Sequence, residues 1–164
     1  MALSSVKIAA TTAMLLTVQD SVTAPPPADA LQERASILAA RQNSKVRMEQ
    51  NGCMKDERNS TAITCYYTLM NSIPVEVHAL APNSPADRVM VELSGAKQDA
   101  MAATAFFLAD LLIPTLPPAD LLAFGNKAKR DLAGPFAGGS VKLGPYDFNY
   151  QATGGKTTLK IYSR

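Results

Sequence analysis

Three short segments between residues 63 and 93 alternate apolar and polar side chains, and they constrain the fold more than any other feature. They are Ile63–Met70, Val75–Leu80 and Arg88–Leu93. Alternation with a period of two places successive side chains on opposite faces of a strand. Turn-forming residues at Asn71–Pro74 and Pro82–Asp87 separate the segments. Strands that follow each other this closely pair antiparallel, so the sequence predicts a three-stranded meander.

Helical segments flank the meander on both sides. Leu31–Gln50 contains neither Pro nor Gly and carries a stripe at helical spacing that is apolar except at one position. The stripe consists of Leu31, Ala35, Leu38, Gln42 and Val46. Ala96–Ile113 is nearly all apolar from Ala100, but Asp110 interrupts it, which favours a core helix over a membrane span. A further helix is predicted from Pro117 to about Leu132, because Pro is favourable in the first turn.

Two more strands are predicted near the end of the chain. They are Val141–Tyr150 and Thr157–Tyr162, joined through the hairpin turn Gly154-Gly155, and Gly134–Gly139 is predicted to be a loop. The predicted order is therefore α-β-β-β-α-α-β-β. This order indicates the α+β class, with an antiparallel sheet of about five strands and the helices packed on one face.

The N-terminus has the pattern of a secretory signal peptide. Met1–Lys7 carries one positive charge, and the 11-residue apolar run Ile8–Val18 is too short to span a bilayer. Ala28-Asp29-Ala30 matches the A-x-A cleavage pattern, which favours cleavage after Ala30, and cleavage after Ala24 is the alternative. Residues 1–30 are predicted to be signal peptide and linker, and residues 31–164 a single α+β domain. An ordinary N-terminal helix followed by a proline-rich linker is the competing interpretation.

The two cysteines, Cys53 and Cys65, agree with export. An even number of cysteines in an exported chain predicts a disulfide, and two buried thiols are the alternative. The predicted location is the periplasm or the extracellular space. One His and two Cys are too few for a zinc site, and no cofactor or metal motif is present.

The charge balance gives no reason to expect nucleic acid or an anionic membrane as a partner. The whole chain has a formal net charge of +2, and removal of the first 30 residues leaves 15 basic and 12 acidic residues. A net charge of this size is too small for electrostatic binding of a polyanion. The 47% of apolar and 18% of charged residues are typical of a globular domain.

Four tyrosines are the predicted binding residues. Tyr66, Tyr146, Tyr150 and Tyr162 fall in predicted strands, and on the sheet face away from the helices they would form a platform for a protein or ligand. Ordinary cross-strand packing is the alternative interpretation. Asp110 is a second candidate, since its neighbours are apolar, although such a residue more often faces solvent on the polar edge of an amphipathic helix.

The evident catalytic motifs are incomplete. Ser94 and Lys97 match S-x-x-K, but the companion motifs of penicillin-recognising serine enzymes are missing. The single imidazole, His78, has no nucleophile placed near it by the sequence. The leading hypothesis is therefore an exported, non-enzymatic protein that binds an envelope or extracellular partner through its sheet. The alternative is a small-molecule or lipid carrier with a cavity between residues 96–132 and the sheet.

Overall fold

A computed structural model describes residues 24–59, 61–95 and 97–164, so most of the predicted signal peptide, residues 1–23, lies outside the described residues. The described residues form three helices and seven strands. In chain order these are α1 (Leu31–Arg41), β1 (Met48–Lys55), β2 (Ile63–Leu69), β3 (Ile73–Ala79), β4 (Arg88–Ser94), α2 (Gln98–Leu112), α3 (Pro118–Ala133), β5 (Gly138–Leu143), β6 (Tyr146–Thr153) and β7 (Lys156–Ser163).

All seven strands belong to one antiparallel sheet, in the order β1-β2-β3-β4-β7-β6-β5. The α+β class and the antiparallel sheet are confirmed, and the predicted count of about five strands is wrong. The meander β2-β3-β4 and the hairpin between β6 and β7 form as predicted. Gly154 and Gly155 both have positive φ, 59° and 77°, which a tight hairpin turn requires.

The first missing strand lies where the sequence predicts helix up to Gln50. Helix α1 buries Leu31 and Ala35 as the stripe predicts, but it ends at Arg41. Asn43 then has a φ of 49°, a left-handed conformation that stops a helix. In β1 only Met48 is buried, so this edge strand has no apolar alternation that would reveal it.

The second missing strand results from dividing the predicted strand Val141–Tyr150 into two. Gly144 and Pro145 form a two-residue turn, closed by the pair Leu143 and Tyr146. The positive φ of Gly144, 52°, permits this turn. Strand β5, before this turn, begins at Gly138, within the segment Gly134–Gly139 that the sequence predicts to be a loop.

The core fills the space between the helices and one face of the sheet. Alternate residues of β2, β3, β4, β6 and β7 are buried there, together with the inward sides of α1, α2 and α3. Helix α2 buries nine of its residues, in agreement with the core helix predicted from its composition. The other face of the sheet has no helix over it among the described residues. None of the helices in this part of the chain is long and apolar enough to cross a membrane.

The residues just before α1 pack into this domain. Pro27 forms an isolated β-bridge with Pro85, and the Ala28 N–H donates to the carbonyl of Ser84 at 2.9 Å. The Ala28 carbonyl accepts a hydrogen bond from the Tyr67 hydroxyl. Ala28 is completely buried, so part of the segment predicted to be a linker belongs to the core.

A disulfide joins Cys53 to Cys65, directly across the pair β1–β2. The sequence predicts this bond, but between a helix end and a strand. The bond fastens the edge strand β1, whose side chains contribute little to the core, to the interior strand β2. The disulfide therefore stabilises this edge of the sheet, together with the β1–β2 ladder, where apolar burial is small.

Candidate functional site

The four predicted binding tyrosines do not lie on one face. The side chains of Tyr66 and Tyr162 are on the open face of the sheet and are 37% and 39% exposed. Tyr146 and Tyr150 are only 2% exposed, because β6 points them, with Phe148 between them, toward the helices. The predicted platform is therefore divided by the sheet, and only its Tyr66 and Tyr162 members are accessible.

Tyr66 and Tyr162 mark opposite corners of a patch that spans four strands. In one row the partners across β2, β3, β4 and β7 are Tyr66, Glu76, Met90 and Lys160. In the neighbouring row they are Thr64, His78, Arg88 and Tyr162. Directly paired residues point to the same side of a sheet, so these eight side chains share the open face. We call them the open-face patch.

A hydrogen bond between His78 and Asp87 lies along the second row of the open-face patch. His78 Nδ1 lies 2.6 Å from Asp87 Oδ1, and the Asp87 N–H donates to the His78 carbonyl at 2.9 Å. The imidazole is 14% exposed. Within the described ranges, no hydroxyl or thiol is hydrogen-bonded to this ring. The pair therefore fixes the beginning of β4 and the position of the ring, and it does not form a nucleophilic triad.

Tyr150, one of the two buried tyrosines of β6, has a structural partner on the helical side. The Tyr150 hydroxyl donates to Asp131 Oδ2 at 2.7 Å, and Lys127 Nζ lies 2.7 Å from the same oxygen. The hydrogen bond from Lys127 lowers the pKa of Asp131, while burial raises the pKa of the Tyr150 phenol. A neutral phenol bound to a carboxylate anchors α3 to the sheet, so Tyr150 has a packing role.

A groove of about 830 Å³ runs along the outer side of α2. Helix α3 forms one wall, and the α1–β1 connection with the β2–β3 turn forms the other. Apolar side chains dominate the lining, among them Phe106, Leu122 and Met70, of which the last two are 59% and 55% exposed. At Gly125 a Cβ would lie 2.7 Å from the Phe106 ring, so glycine there lets the ring rest on α3. We call this the α2 groove.

Acidic groups lie at both ends of the α2 groove. At one end Asp110 Oδ2 accepts a hydrogen bond of 2.5 Å from Gln42 Nε2, and its side chain is half-buried. At the other end Asp99 Oδ1 lies 3.4 Å from Lys129 Nζ, and both side chains are largely exposed. Asp110 is therefore on the edge of an apolar groove. This position is intermediate between burial among its apolar neighbours and full exposure on the polar edge of the helix.

The remaining catalytic candidates have no supporting geometry in the described part of the chain. Ser94 ends β4 and Lys97 precedes α2, and no hydrogen bond joins their side chains. Among the described residues, no group of three or more His, Cys, Asp and Glu side chains is arranged to hold a metal ion.

The full composition of the two surfaces could not be predicted from the sequence, for different reasons. The open-face patch depends on the pairing of β4 with β7, strands more than 60 residues apart, which no local pattern reveals. The α2 groove depends on Gly125 and on the turn after β2, whose residues carry no apolar periodicity. Comparison of the chain with protein-family models, with curated proteins and with solved structures gives no match.

Proposed function

We propose that this chain is an exported, non-enzymatic binding protein whose partner is an envelope or extracellular protein that docks on the open-face patch. One observation carries the proposal: the central strands of the sheet present a patch of mixed chemistry that no described helix covers. A sheet with one uncovered face needs polar character on that face, yet this patch also carries Tyr66, Met90 and Tyr162.

The composition of the patch favours a protein partner. Tyr, Met and Arg are enriched in protein interfaces, and the patch contains Arg88 besides its two tyrosines and its methionine. Three strand spacings separate Tyr66 from Tyr162, which makes the patch about 14 Å wide. Its charges have both signs, with Glu76 and Lys160 in one row and Arg88 in the other, so it suits a partner of mixed charge better than a polyanion.

Export of the chain is supported by two features. The signal-peptide pattern of residues 1–30 predicts it, and the disulfide between Cys53 and Cys65 is of a kind that persists in oxidising compartments. A partner in the periplasm or outside the cell is therefore the appropriate class to test.

The test is capture of the partner from the native envelope by two matched double variants. Tyr66→Ala with Tyr162→Ala truncates the open face, and Ile37→Ala with Leu122→Ala truncates exposed apolar residues of the helical layer. We expect the first pair to abolish capture of a defined partner and the second to retain it. Retention by the first pair and loss by the second would move the binding surface to the helices.

The α2 groove supports a second candidate function, the carriage of a molecule with a single hydrocarbon chain. Its volume of about 830 Å³ is within the range of ligand sites, and its lining is mostly apolar. The carboxylate of Asp110 at one end favours a ligand whose head group donates hydrogen bonds or is cationic.

Binding of a long-chain alkylamine tests this candidate, with the corresponding fatty acid for comparison. Ala103→Trp would fill the groove from α2, whereas Ala133→Trp adds the same side chain at an exposed position of α3 outside the groove. We expect the amine to bind more tightly than the acid and Ala103→Trp alone to abolish binding. Equal binding by both variants would exclude the groove as the site.

A further inference from the structure

The two edges of the sheet differ in how much of their backbone is available for pairing. At the β1 edge, the Gln50 N–H is already bonded to Gln32 Oε1 at 2.7 Å, and the register shifts between Gln50 and Gly52. A bulge and a side chain bonded to the backbone protect an edge against a further strand. Strand β5, at the other edge, has neither device among the described residues.

The pairing of β5 with β6 fixes which peptide groups of β5 face outward. Ala152 N–H donates to the Ala137 carbonyl at 2.6 Å, so this pair belongs to the hydrogen-bonded set of the ladder. In an antiparallel pair, residues alternate between groups that bond to the neighbour and groups that point away. The N–H and C=O groups of Gly138, Ser140 and Lys142 therefore point to the free edge.

The open-face side of this edge has a depression next to an exposed aromatic ring. The depression measures about 320 Å³ and lies over Gly138, with Phe136 on its rim and Gln151 and Thr158 on its floor. Phe136 is 91% exposed, more than any other large apolar residue of the described chain. Glycine is needed here because a Cβ on Gly138 would lie 2.7 Å from the Tyr150 carbonyl oxygen.

We propose that β5 pairs antiparallel with β5 of a second copy of this chain, which joins the two sheets into one. The three outward residues define the register. Ser140 lies opposite Ser140 of the second copy on the two-fold axis, and Gly138 lies opposite Lys142 on either side of it. Every outward N–H and C=O of these residues then has a partner, as an isologous interface requires.

The side chains fit this register. Lys142 is the only charged residue of β5, and in this pairing it faces a glycine and not its own copy, so like charges are not opposed. Its aliphatic stem would occupy the depression over Gly138, and its ammonium group would lie beside the ring of Phe136. In the dimer, Lys142 of each copy would thus fill the depression over Gly138 of the other copy, where the glycine has no side chain.

The dimer would leave most of the open-face patch uncovered, because seven of its eight residues lie away from β5 and only Lys160 also borders the depression. Both copies would present their patches on one face of a continuous sheet. The inference goes beyond the proposed function and does not depend on it, since it concerns only the self-association of the chain.

The first test is the molar mass in solution of the full chain with its disulfide formed. Between about 1 and 200 μM, a range in which a weak dimer assembles, light scattering after size exclusion should show a rise toward twice the mass of one chain. One chain has a mass of 17.4 kDa. Ser140→Pro removes the N–H on the two-fold axis, which β6 does not use, so the variant should keep its fold and remain monomeric. Ser140→Ala keeps that N–H and should dimerise.

Cross-linking gives a second measurement that does not rely on proline. Ser140→Cys places two thiols across the two-fold axis, and a short bis-maleimide should join the two copies. Lys142→Cys is the control, because its two thiols would be about 14 Å apart along the strands. A wild-type monomer throughout the concentration range, a dimer that survives Ser140→Pro, or equal cross-linking of both cysteine variants would overturn the proposal.

Discussion

The hydroxyl of Tyr67, in the middle of β2, donates a hydrogen bond to the carbonyl of Ala28, which lies 39 positions earlier in the chain and ahead of α1. Both residues are buried. We expect Tyr67→Phe to lower the free energy of unfolding by about 1–2 kcal/mol, because it leaves a buried carbonyl without this donor. Urea unfolding followed by circular dichroism measures the change.

Tyr66→Phe is the matched control, since the neighbouring Tyr66 points to the open face. Its effect should stay within about 0.5 kcal/mol, as expected for a surface substitution. Equal losses in the two variants would mean that the hydrogen bond to Ala28 contributes nothing measurable.

The packing of Ala28 also bears on the N-terminus of the mature protein. The A-x-A pattern favours cleavage after Ala30, which would remove Ala28, whereas cleavage after Ala24 would leave its contacts intact. We expect the mature protein to retain Ala28. The intact mass of the exported protein decides between the two sites, and a mass that starts at Leu31 would show that the domain forms without this segment.

Alkaline pH should destabilise the protein. Burial raises the pKa of Tyr67 to about 12 and also raises the pKa of Tyr146 and of Tyr150. Each folded phenol keeps a proton that its unfolded form releases near pH 10, so stability is complete below about pH 10 and falls above it, by up to about 1.4 kcal/mol per pH unit for each tyrosine. Urea unfolding from pH 8 to 12 should show this decline, and Tyr67→Phe should make it less steep. A flat profile would contradict the prediction.

Reduction of the disulfide should cost about 3 kcal/mol of stability, as the entropy of a closed loop of this length predicts. Cys53 and Cys65 are separated by 12 positions, and only Cys65 is buried. Cys65→Ser should therefore cost more than Cys53→Ser, because it also buries a hydroxyl in the core. Both variants lack the bond, and reducing conditions keep the remaining thiol from cross-linking two chains during urea unfolding; equal stabilities would contradict this difference.

Gly139 should not tolerate a side chain. A Cβ at this position would collide with Asp131 Oδ2 and lie 3.0 Å from the Tyr150 ring, and the carboxylate is held by two hydrogen bonds. We expect Gly139→Ala to destabilise the fold by about 1–3 kcal/mol through overpacking. Ser140→Ala, at the next and exposed position, should be nearly neutral in thermal unfolding.

The elements that the sequence predicts correctly are those whose burial is regular. Ile63, Cys65, Tyr67 and Leu69 alternate in β2 because one face of this interior strand is buried, and α2 is apolar because it lies in the middle of the helical layer. Strand β1 could not be predicted in this way, because it is an edge strand with almost no buried side chain. Its strand conformation depends on pairing with β2 and on the disulfide.

The location of the candidate site was less predictable than the elements. The residues Tyr146 and Tyr150 occur in a strand as expected. The turn at Gly144 and Pro145 decides which face of β6 points to the core, and both tyrosines are on that face. The Gly-Pro dipeptide was the signal for this turn. No local signal indicates that β4 pairs with β7. The residues next to Tyr162 on the open face are therefore known only from the assembled sheet.

The central position of β7 has a consequence for how the domain folds. Strand β7 lies between β4 and β6, so β1–β4 and β5–β6 remain two separate pieces of sheet until β7 pairs with both. Pairings over such long sequence separations are slow to form. The domain should therefore fold slowly and as one unit, because its two part-sheets depend on a shared central strand.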